Sequence, residues 1–134
     1  MNFTSRPILS ARLAGGVAQS LVEKTPGALA AAVMAGDGVA IDEYARPGSD
    51  VDLGAISIEF GRVFHQSQKV AGALDASRGG ALEEMLLVTG TSQVYFRQLD
   101  DDSFLVIALE ATGLVGKARY LARSLAQEIR EGRQ

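Results

Sequence analysis

The sequence predicts a single domain of the α/β (α+β) class, an α/β/α sandwich built on a five-stranded antiparallel sheet. Two observations lead to this fold. The periodic segments follow the order helix, strand, strand, helix, strand, strand, strand, helix, and turn-forming residues separate the neighbours within each group of strands. The chain has 134 residues, of which 47% are hydrophobic and 22% charged, a length and composition that suit one buried core. We therefore expect one domain over residues 1–134.

The first half of the chain predicts a short helix, a hairpin and a long helix. Apolar residues recur every four positions between Ile8 and Lys24, as in an amphipathic helix. The segments ALAAAVMA and VAIDEY read as two strands, because Gly36-Asp37-Gly38 between them tolerates the positive φ angles of a tight turn. A long helix is expected from Asp50 to Leu74. Its apolar stripe should face the core and consists of Leu53, Ile56, Phe60, Val63, Phe64, Val70 and Leu74.

The second half predicts three strands and a final helix. The strands are expected at Ala81 to Thr89, Ser92 to Gln98 and Phe104 to Leu109, and the helix begins near Leu114. FLVIAL is continuously apolar, which is typical of a central strand covered on both faces. QVYFRQL alternates, which predicts a strand covered on one face only. Hairpins make the local pairings antiparallel, and helices on both faces of the sheet complete the sandwich.

Composition excludes several classes of function. The chain has no cysteine, so thiol catalysis, disulfides and thiolate metal sites are ruled out, and His65 is its only histidine. The net charge of −3 and the pI of about 5.1 argue against a nucleic-acid surface. No apolar run is long enough for a signal peptide or a membrane span. We expect a cytoplasmic protein with no cofactor, no metal, no nucleic-acid partner and no membrane insertion.

The stretch GLVGKAR, from Gly113 to Arg119, superficially resembles a phosphate-binding loop. Such a loop needs four residues between its glycines and a hydroxyl side chain after the lysine. Here two residues separate the glycines, and Ala118 follows the lysine. The stretch is therefore interpreted as a tight junction between the last strand and the final helix. Arg119 and Arg123, one turn apart on that helix, are expected to face solvent.

Three glycines in the long helix indicate a close contact with another protein. Gly54, Gly61 and Gly72 fall within about 20° of one another on a helical wheel and roughly 130° from the expected core stripe. Each glycine inside a helix costs up to ~1 kcal/mol relative to alanine, whereas an absent side chain lets a second backbone approach. Ile58 and His65 border the same outward face. The alternative is an exposed helix that tolerates glycine.

Charged groups beside these glycines leave two interpretations open. Glu59, Arg62, Gln66 and Lys69 could dock a charged partner, or they could form an ordinary solvated face with weak local pairs. The run from Asp100 to Asp102 lacks the alternating acids and distant glutamate of a calcium loop, so a solvated hairpin tip is expected. Nothing in either group predicts catalysis.

The segment order, together with GDGVAID after the first strand and FLVIALEATGLVGKARYLARSLAQEI at the end, resembles the roadblock / dynein light chain family. Within that family it is most similar to the bacterial MglB-like branch. The likeness covers nearly the whole chain, although its motifs contain no diagnostic catalytic signature.

The resemblance implies a homodimer that works beside a Ras-like small GTPase in cell polarity. Members like MglB stimulate GTP hydrolysis by reshaping the active site of the GTPase and supply no arginine finger. The edge strand from Ala81 to Thr89 would join two sheets, and the long helices would pair. The implied partner or dimer interface consists of Gly54, Ile58, Gly61, Arg62, His65, Lys69, Gly72, Leu82, Glu84 and Leu86.

Three other classes of function remain beside this non-enzymatic regulator. A dimeric scaffold or adaptor would bind its partner without accelerating hydrolysis. A small-ligand sensor is less favoured because no polar cluster converges on an evident pocket, and a hydrolase is least favoured.

Overall fold

The computed structural model describes residues 16–74 and 81–132. The elements follow the predicted order of helices and strands. Of the first predicted helix, between Ile8 and Lys24, the part from Ile8 to residue 15 lies outside the described residues. The elements are α1 (Val17–Lys24), β1 (Ala28–Ala35), β2 (Ala40–Ala45), α2 (Leu53–Leu74), β3 (Glu84–Val88), β4 (Ser92–Asp100), β5 (Ser103–Glu110) and α3 (Val115–Gly132).

The five strands form one antiparallel sheet in the order β2-β1-β5-β4-β3. Strand β5, which contains FLVIAL, lies in the centre as its apolar sequence predicts. Strands β2 and β3 are the two edges. The β1–β2 and β4–β5 turns lie at the same end of the sheet, because Ala35 pairs with Ser103.

Helices cover both faces of the sheet, as predicted. One apolar cluster joins α1 and α3 to side chains such as Tyr95 and Ile107, and the other joins α2 to Phe96 and Val106. Adjacent strand residues contribute to opposite clusters, since successive side chains point to opposite faces. We call these two sides of the sheet the α1/α3 face and the α2 face.

The prediction that β4 is covered on one face only is wrong. Residues Gln93 to Arg97 are all buried, and Tyr95 and Phe96 belong to different clusters. The alternation in QVYFRQL suggested a solvent-exposed face because Gln93 and Arg97, on the same face of the strand, are polar. Both polar side chains instead find partners inside, and the Gln93 amide donates to the carbonyl oxygens of Glu110 and Gly113, each at 3.1 Å.

The GLVGKAR stretch is a tight junction, as its spacing predicts. A Cβ on Gly27, whose φ is +82°, would lie 2.4 Å from the Cα of Gly113, so the two backbones are in direct contact. Leu114 N donates to Pro26 O at 2.9 Å, and the Gln93 side-chain amide donates to Gly113 O at 3.1 Å. The glycine at position 113 therefore serves close packing between two turns.

Carboxylates cap the N-termini of α1 and α2. Helix α2 begins at Leu53, three residues later than predicted, because Asp52 Oδ1 accepts the Ala55 N–H at 3.0 Å and caps the helix. Helix α1 has glycine at its cap position, and Asp42 Oδ2 from β2 accepts the Ala18 N–H at 2.9 Å instead.

Candidate protein-binding site

The long helix α2 divides into an inner stripe and two flanks. The inner stripe is Leu53, Ser57, Phe60 and Phe64, which are the buried residues of the helix. Phe64 lies against Phe96 with ring centroids 4.3 Å apart and against Phe104 at 5.9 Å. At 3.6 residues per turn, the flanks lie about 90° to either side of this stripe. The glycine flank carries Gly54, Ile58, Gly61, His65 and Gly72, and the valine flank carries Ile56, Val63, Val70 and Leu74.

The glycine flank points away from the core, as predicted. A Cβ added at Gly61 or Gly72 would have no neighbouring heavy atom within 4 Å. At Gly54 it would meet only Asp52 Oδ1, at 3.5 Å. No contact within the described chain therefore accounts for these glycines, and their role in an interface stays a prediction.

A groove of about 810 Å³ runs beside the glycine flank. Its helix wall brings together four predicted site residues, namely Ile58, Gly61, Arg62 and His65. The opposite wall consists of the two hairpin turns at residues 36–38 and 101–103, and Phe104 lines the groove between them. Lys69 and Gly72 lie farther along the helix, outside the lining of this groove. The groove therefore joins half of the predicted helix surface to loops that sequence reasoning did not connect with it.

The two walls of the groove differ in charge. Asp37, Asp101 and Asp102 lie on the hairpin wall, whereas Arg62 and His65 lie on the helix wall. Arg62 Nη1 also lies 3.3 Å from Glu59 Oε1, but both side chains are largely exposed, so the pair contributes only a few tenths of a kcal/mol. A partner that binds in the groove can therefore break the Arg62–Glu59 pair and form its own contacts with these side chains at little cost in free energy.

The prediction that the valine flank belongs to the core is wrong for three of its residues. Val63 is 45% exposed, Val70 68% and Leu74 81%. Val70 and Leu74 lie beyond Phe64, the last buried residue of α2, and Val63 lies about 90° to one side of the inner stripe. Ile56, near the start of the same flank, packs against the same buried cluster as Leu82 and as Met85 of β3. The valine flank thus continues an apolar surface toward the β3 edge.

Strand β3 is an open edge with exposed apolar side chains. Thr89 N donates to Ser92 O, and Gln98 N donates to Glu83 O, both at 2.9 Å. Backbone groups of an antiparallel pair point alternately toward and away from the partner strand, so the backbone groups of Glu84, Leu86 and Val88 point outward. Leu86 and Val88 are also exposed. Leu82, by contrast, is half-buried and packs against the α2-face cluster, so it supports the edge from within.

Glu84, a predicted interface residue, anchors the edge strand to the rest of the protein. Its Oε1 accepts the Tyr95 hydroxyl at 2.6 Å and lies 3.4 Å from Arg97 Nη1 and 3.1 Å from Arg119 Nε. Arg119 and Arg123 are exposed, as predicted, and the Arg119 guanidinium also reaches from α3 to Glu84 of β3. Arg97 is buried, and Glu83 Oε1 lies 3.5 Å from its Nη2.

This network shifts two pKa values. Burial raises the pKa of Glu84, but the Tyr95 hydrogen bond and the positive charges of Arg119 and Arg97 outweigh it and leave the pKa lowered. Burial and the hydrogen bond to Glu84 raise the pKa of Tyr95 to about 12. The carboxylate and the neutral phenol are thus the stable forms at neutral pH. The network holds β3 in place and does not prepare a general acid or base.

Other sequence features have structural roles. Asp100 Oδ1 accepts the Asp102 N–H and the Ser103 hydroxyl, each at 2.8 Å, so the aspartate run closes the predicted hairpin tip. Over residues 16–74 and 81–132, no group of three or more potential ligand side chains is placed to hold a metal ion. No helix in the same ranges is long and apolar enough to cross a membrane.

Sequence reasoning missed the valine flank and the hairpin wall of the groove. A signal for the first was present, because Leu53, Phe60 and Phe64 alone define a narrow stripe that leaves Val63 and Val70 well to one side. No comparable signal existed for the hairpin wall. Its two turns are far apart in sequence and come together only through the β1–β5 pairing.

Solved structures similar to this chain share the fold just described. The structure of MglC from Myxococcus xanthus is 30% identical, with 91% of this chain and 98% of that chain covered and a TM-score of 0.58. Gliding protein MglB from Thermus thermophilus is 14% identical, with 92% and 90% covered and a TM-score of 0.77. A Roadblock/LC7 domain from Streptomyces avermitilis is 12% identical, with 86% and 92% covered and a TM-score of 0.71. No protein-family model and no curated protein sequence matches the chain.

Proposed function

This chain belongs to the roadblock family, and on that premise we propose that it is a non-enzymatic cytoplasmic regulator. It forms a homodimer, binds a Ras-like small GTPase and stimulates GTP hydrolysis. The observation that carries the proposal is that α2 and β3 expose apolar and glycine-rich surfaces that nothing in the described chain covers. Surfaces of this kind on an otherwise well-packed domain mark protein interfaces.

The β3 edge and the valine flank form the homodimer interface. An open edge strand with exposed leucine and valine is a template for pairing with another strand. Two copies of β3 related by a two-fold axis pair most extensively when the axis passes through Leu86. Leu86 then faces its own copy, Glu84 faces Val88 of the second copy, and every outward-pointing backbone group of the strand is satisfied.

Cysteine cross-linking tests this register, and the absence of native cysteine makes the result easy to interpret. In Leu86→Cys, the paired Cα atoms would lie about 5.5 Å apart, within the range of a disulfide. Mild oxidation should therefore yield a covalent dimer. Leu87→Cys is the matched control. In this register the two Leu87 residues would be diagonal neighbours about 8 Å apart, both on the face of the sheet opposite to Leu86. Cross-linking of Leu87→Cys alone would overturn the register.

The glycine flank and its groove contact the GTPase. The partner is assigned from the family resemblance. Its binding place on this chain is assigned from the groove. The groove is concave, partly aromatic and charged on both walls, and Gly61 leaves room for a close backbone approach. No arginine is needed as a catalytic finger, because the GTPase would use its own active site, reshaped by contact.

Single-turnover GTP hydrolysis by a candidate GTPase, with and without this protein, tests the activity. We expect a faster rate that saturates as the protein is added. Size-exclusion chromatography with light scattering should show a dimer in the same buffer. A clean monomer at high micromolar concentration would contradict the β3 interface, whatever the hydrolysis rate.

A scaffold without GTPase-activating effect is the second candidate. It rests on the same exposed surfaces of α2 and β3, which account for binding but do not by themselves require a faster reaction. Stable GTPase binding with an unchanged hydrolysis rate would identify the scaffold and reject the activator.

A further inference from the structure

We propose that the open edge of β2 is a docking site for an extended, positively charged segment of a partner protein. This edge lies at the opposite end of the sheet from β3. The proposal therefore concerns an edge that the homodimer does not use and that lies outside the lining of the GTPase groove, although Gly54 of the glycine flank borders it.

Among residues 16–74 and 81–132, no strand pairs with the outer edge of β2, so backbone groups on that side are open. Arg46 N donates to Leu29 O at 2.8 Å, which fixes the alternation along this strand pair. It follows that Asp42 and Tyr44 direct their backbone groups toward β1, whereas Glu43 and Ala45 direct theirs outward. An extended segment lying beside β2 would pair with these two residues and extend the sheet.

A cavity accompanies the open edge on the α2 face of the sheet. It measures about 490 Å³ and is lined by Glu43, Tyr44 and Ala45 of β2 and by residues 51–54 at the start of α2. Gly54 contributes no side chain to it. A segment that pairs with β2 can therefore place its alternate side chains in this space.

Charge determines which segment fits. The charged residues that line the cavity are Glu43 and Asp52, both acids and both exposed. The nearest cation along the chain, Arg46, is turned toward α1, where its Nε donates to Ala28 O and its Nη2 to Val22 O. The edge thus matches a segment carrying lysine or arginine on the side that faces α2.

The same acids argue against a second copy of this chain as the occupant. Two β2 strands paired about their centre would bring Glu43 close to Glu43 of the other copy, and like charges on neighbouring strands are destabilising. The β3 edge, with exposed Leu86 and Val88, has no such penalty. The two edges of the sheet therefore suit different occupants.

A short synthetic peptide of alternating lysine and valine, labelled with fluorescein, tests the proposal against the full chain. We expect saturable binding by fluorescence anisotropy, with amide chemical-shift changes centred on Glu43 and Ala45. Glu43→Lys should weaken binding at least tenfold, while the dimer and any stimulation of GTP hydrolysis stay unchanged. A lack of peptide binding would therefore contradict the β2 proposal alone, while the dimer and GTP-hydrolysis measurements test the proposed function.

Two control peptides separate strand addition from simple charge attraction. A glutamate-valine peptide of equal length should not bind. A lysine-valine peptide with alternate backbone amides methylated keeps its charge but loses its donors, and it should bind at least tenfold more weakly. Equal binding of the methylated peptide, chemical-shift changes located at β3, or unchanged binding by Glu43→Lys would each overturn the proposal.

Discussion

The glycine flank and the valine flank lie on opposite sides of one helix, yet they meet different surroundings. The glycine flank borders a groove whose far wall is built from two hairpin turns. The valine flank leaves Val70 and Leu74 exposed and continues toward the open β3 edge. One helix therefore presents two surfaces of distinct character. One offers apolar area suited to a permanent partner, and the other offers a charged concave surface suited to an exchangeable one.

Truncating a buried side chain of the inner stripe should have the largest effect on stability, and it should affect both flanks. Phe64→Ala deletes a buried ring that contacts Phe96 and Phe104. We expect the free energy of unfolding to fall by about 3 kcal/mol because a large cavity remains. Urea denaturation at fixed protein concentration measures this loss, and dimerisation and GTPase binding should weaken together. If both associations stayed intact, the two flanks would not depend on this common support.

A charge on the valine flank should separate the two surfaces most clearly. Val70→Glu would bury an unpaired carboxylate in the proposed dimer seam, and we expect the dimer dissociation constant to rise about a hundredfold. Analytical ultracentrifugation measures the change. Gln68→Glu is the matched control, since it adds the same carboxylate on the groove side of the helix and should leave the dimer unchanged. A dimer that tolerates Val70→Glu would remove the valine flank from the interface.

The reciprocal change on the glycine flank should affect the other association. Gly61→Glu fills the open space beside the groove, and we expect GTPase affinity to fall about tenfold while the dimer and the helix content remain. Titration by isothermal calorimetry and circular dichroism provide the two measurements.

Gly61→Ala is the control for that change, because it adds only a methyl group. It should raise the free energy of unfolding by about 0.5–1 kcal/mol, since an exposed glycine inside a helix costs that much. A weakened dimer in Gly61→Glu with unaltered GTPase binding would reverse the assignment of the two flanks.

The last expected effect concerns the edge beside the valine flank and is absent at neutral pH, because it appears only in alkali. The pKa of Tyr95 is raised from 10.0 to about 12, so the folded state holds this proton more tightly than the unfolded state. Its contribution to stability is complete below about pH 10 and is lost as the pH rises through about 12. Tyr95→Phe should lack this alkaline loss in urea titrations, whereas Tyr120→Phe, at an exposed position of α3, should retain it. A wild-type profile as flat as that of Tyr95→Phe would contradict the network at Glu84.

Much of the fold could be predicted from local pattern. The three hairpins, the central position of FLVIAL and the order of elements all follow from turn residues and apolar periodicity. Errors occurred where burial depended on a distant partner. Gln93 and Arg97 looked solvent-facing but are buried, because one side chain holds the strand-to-helix junction and the other pairs with Glu84.

The candidate site was predictable only in part. The outward direction of Gly54, Gly61 and Gly72 followed from the helical wheel and is confirmed. The hairpin wall of the groove and the contact of Arg119 with Glu84 required the sheet to bring distant segments together. Which partner meets which flank stays a prediction.

Local sequence was enough to predict which segments become helix or strand, since this choice depends largely on neighbours a few positions away. Which apolar residues are covered depends on segments that are distant in sequence. Val63, Val70 and Leu74 are as apolar as Leu53 and Phe60, and helical periodicity places them only to one side of the inner stripe. Their exposure depends on what packs against that side, and no residue of α2 after Phe64 is buried.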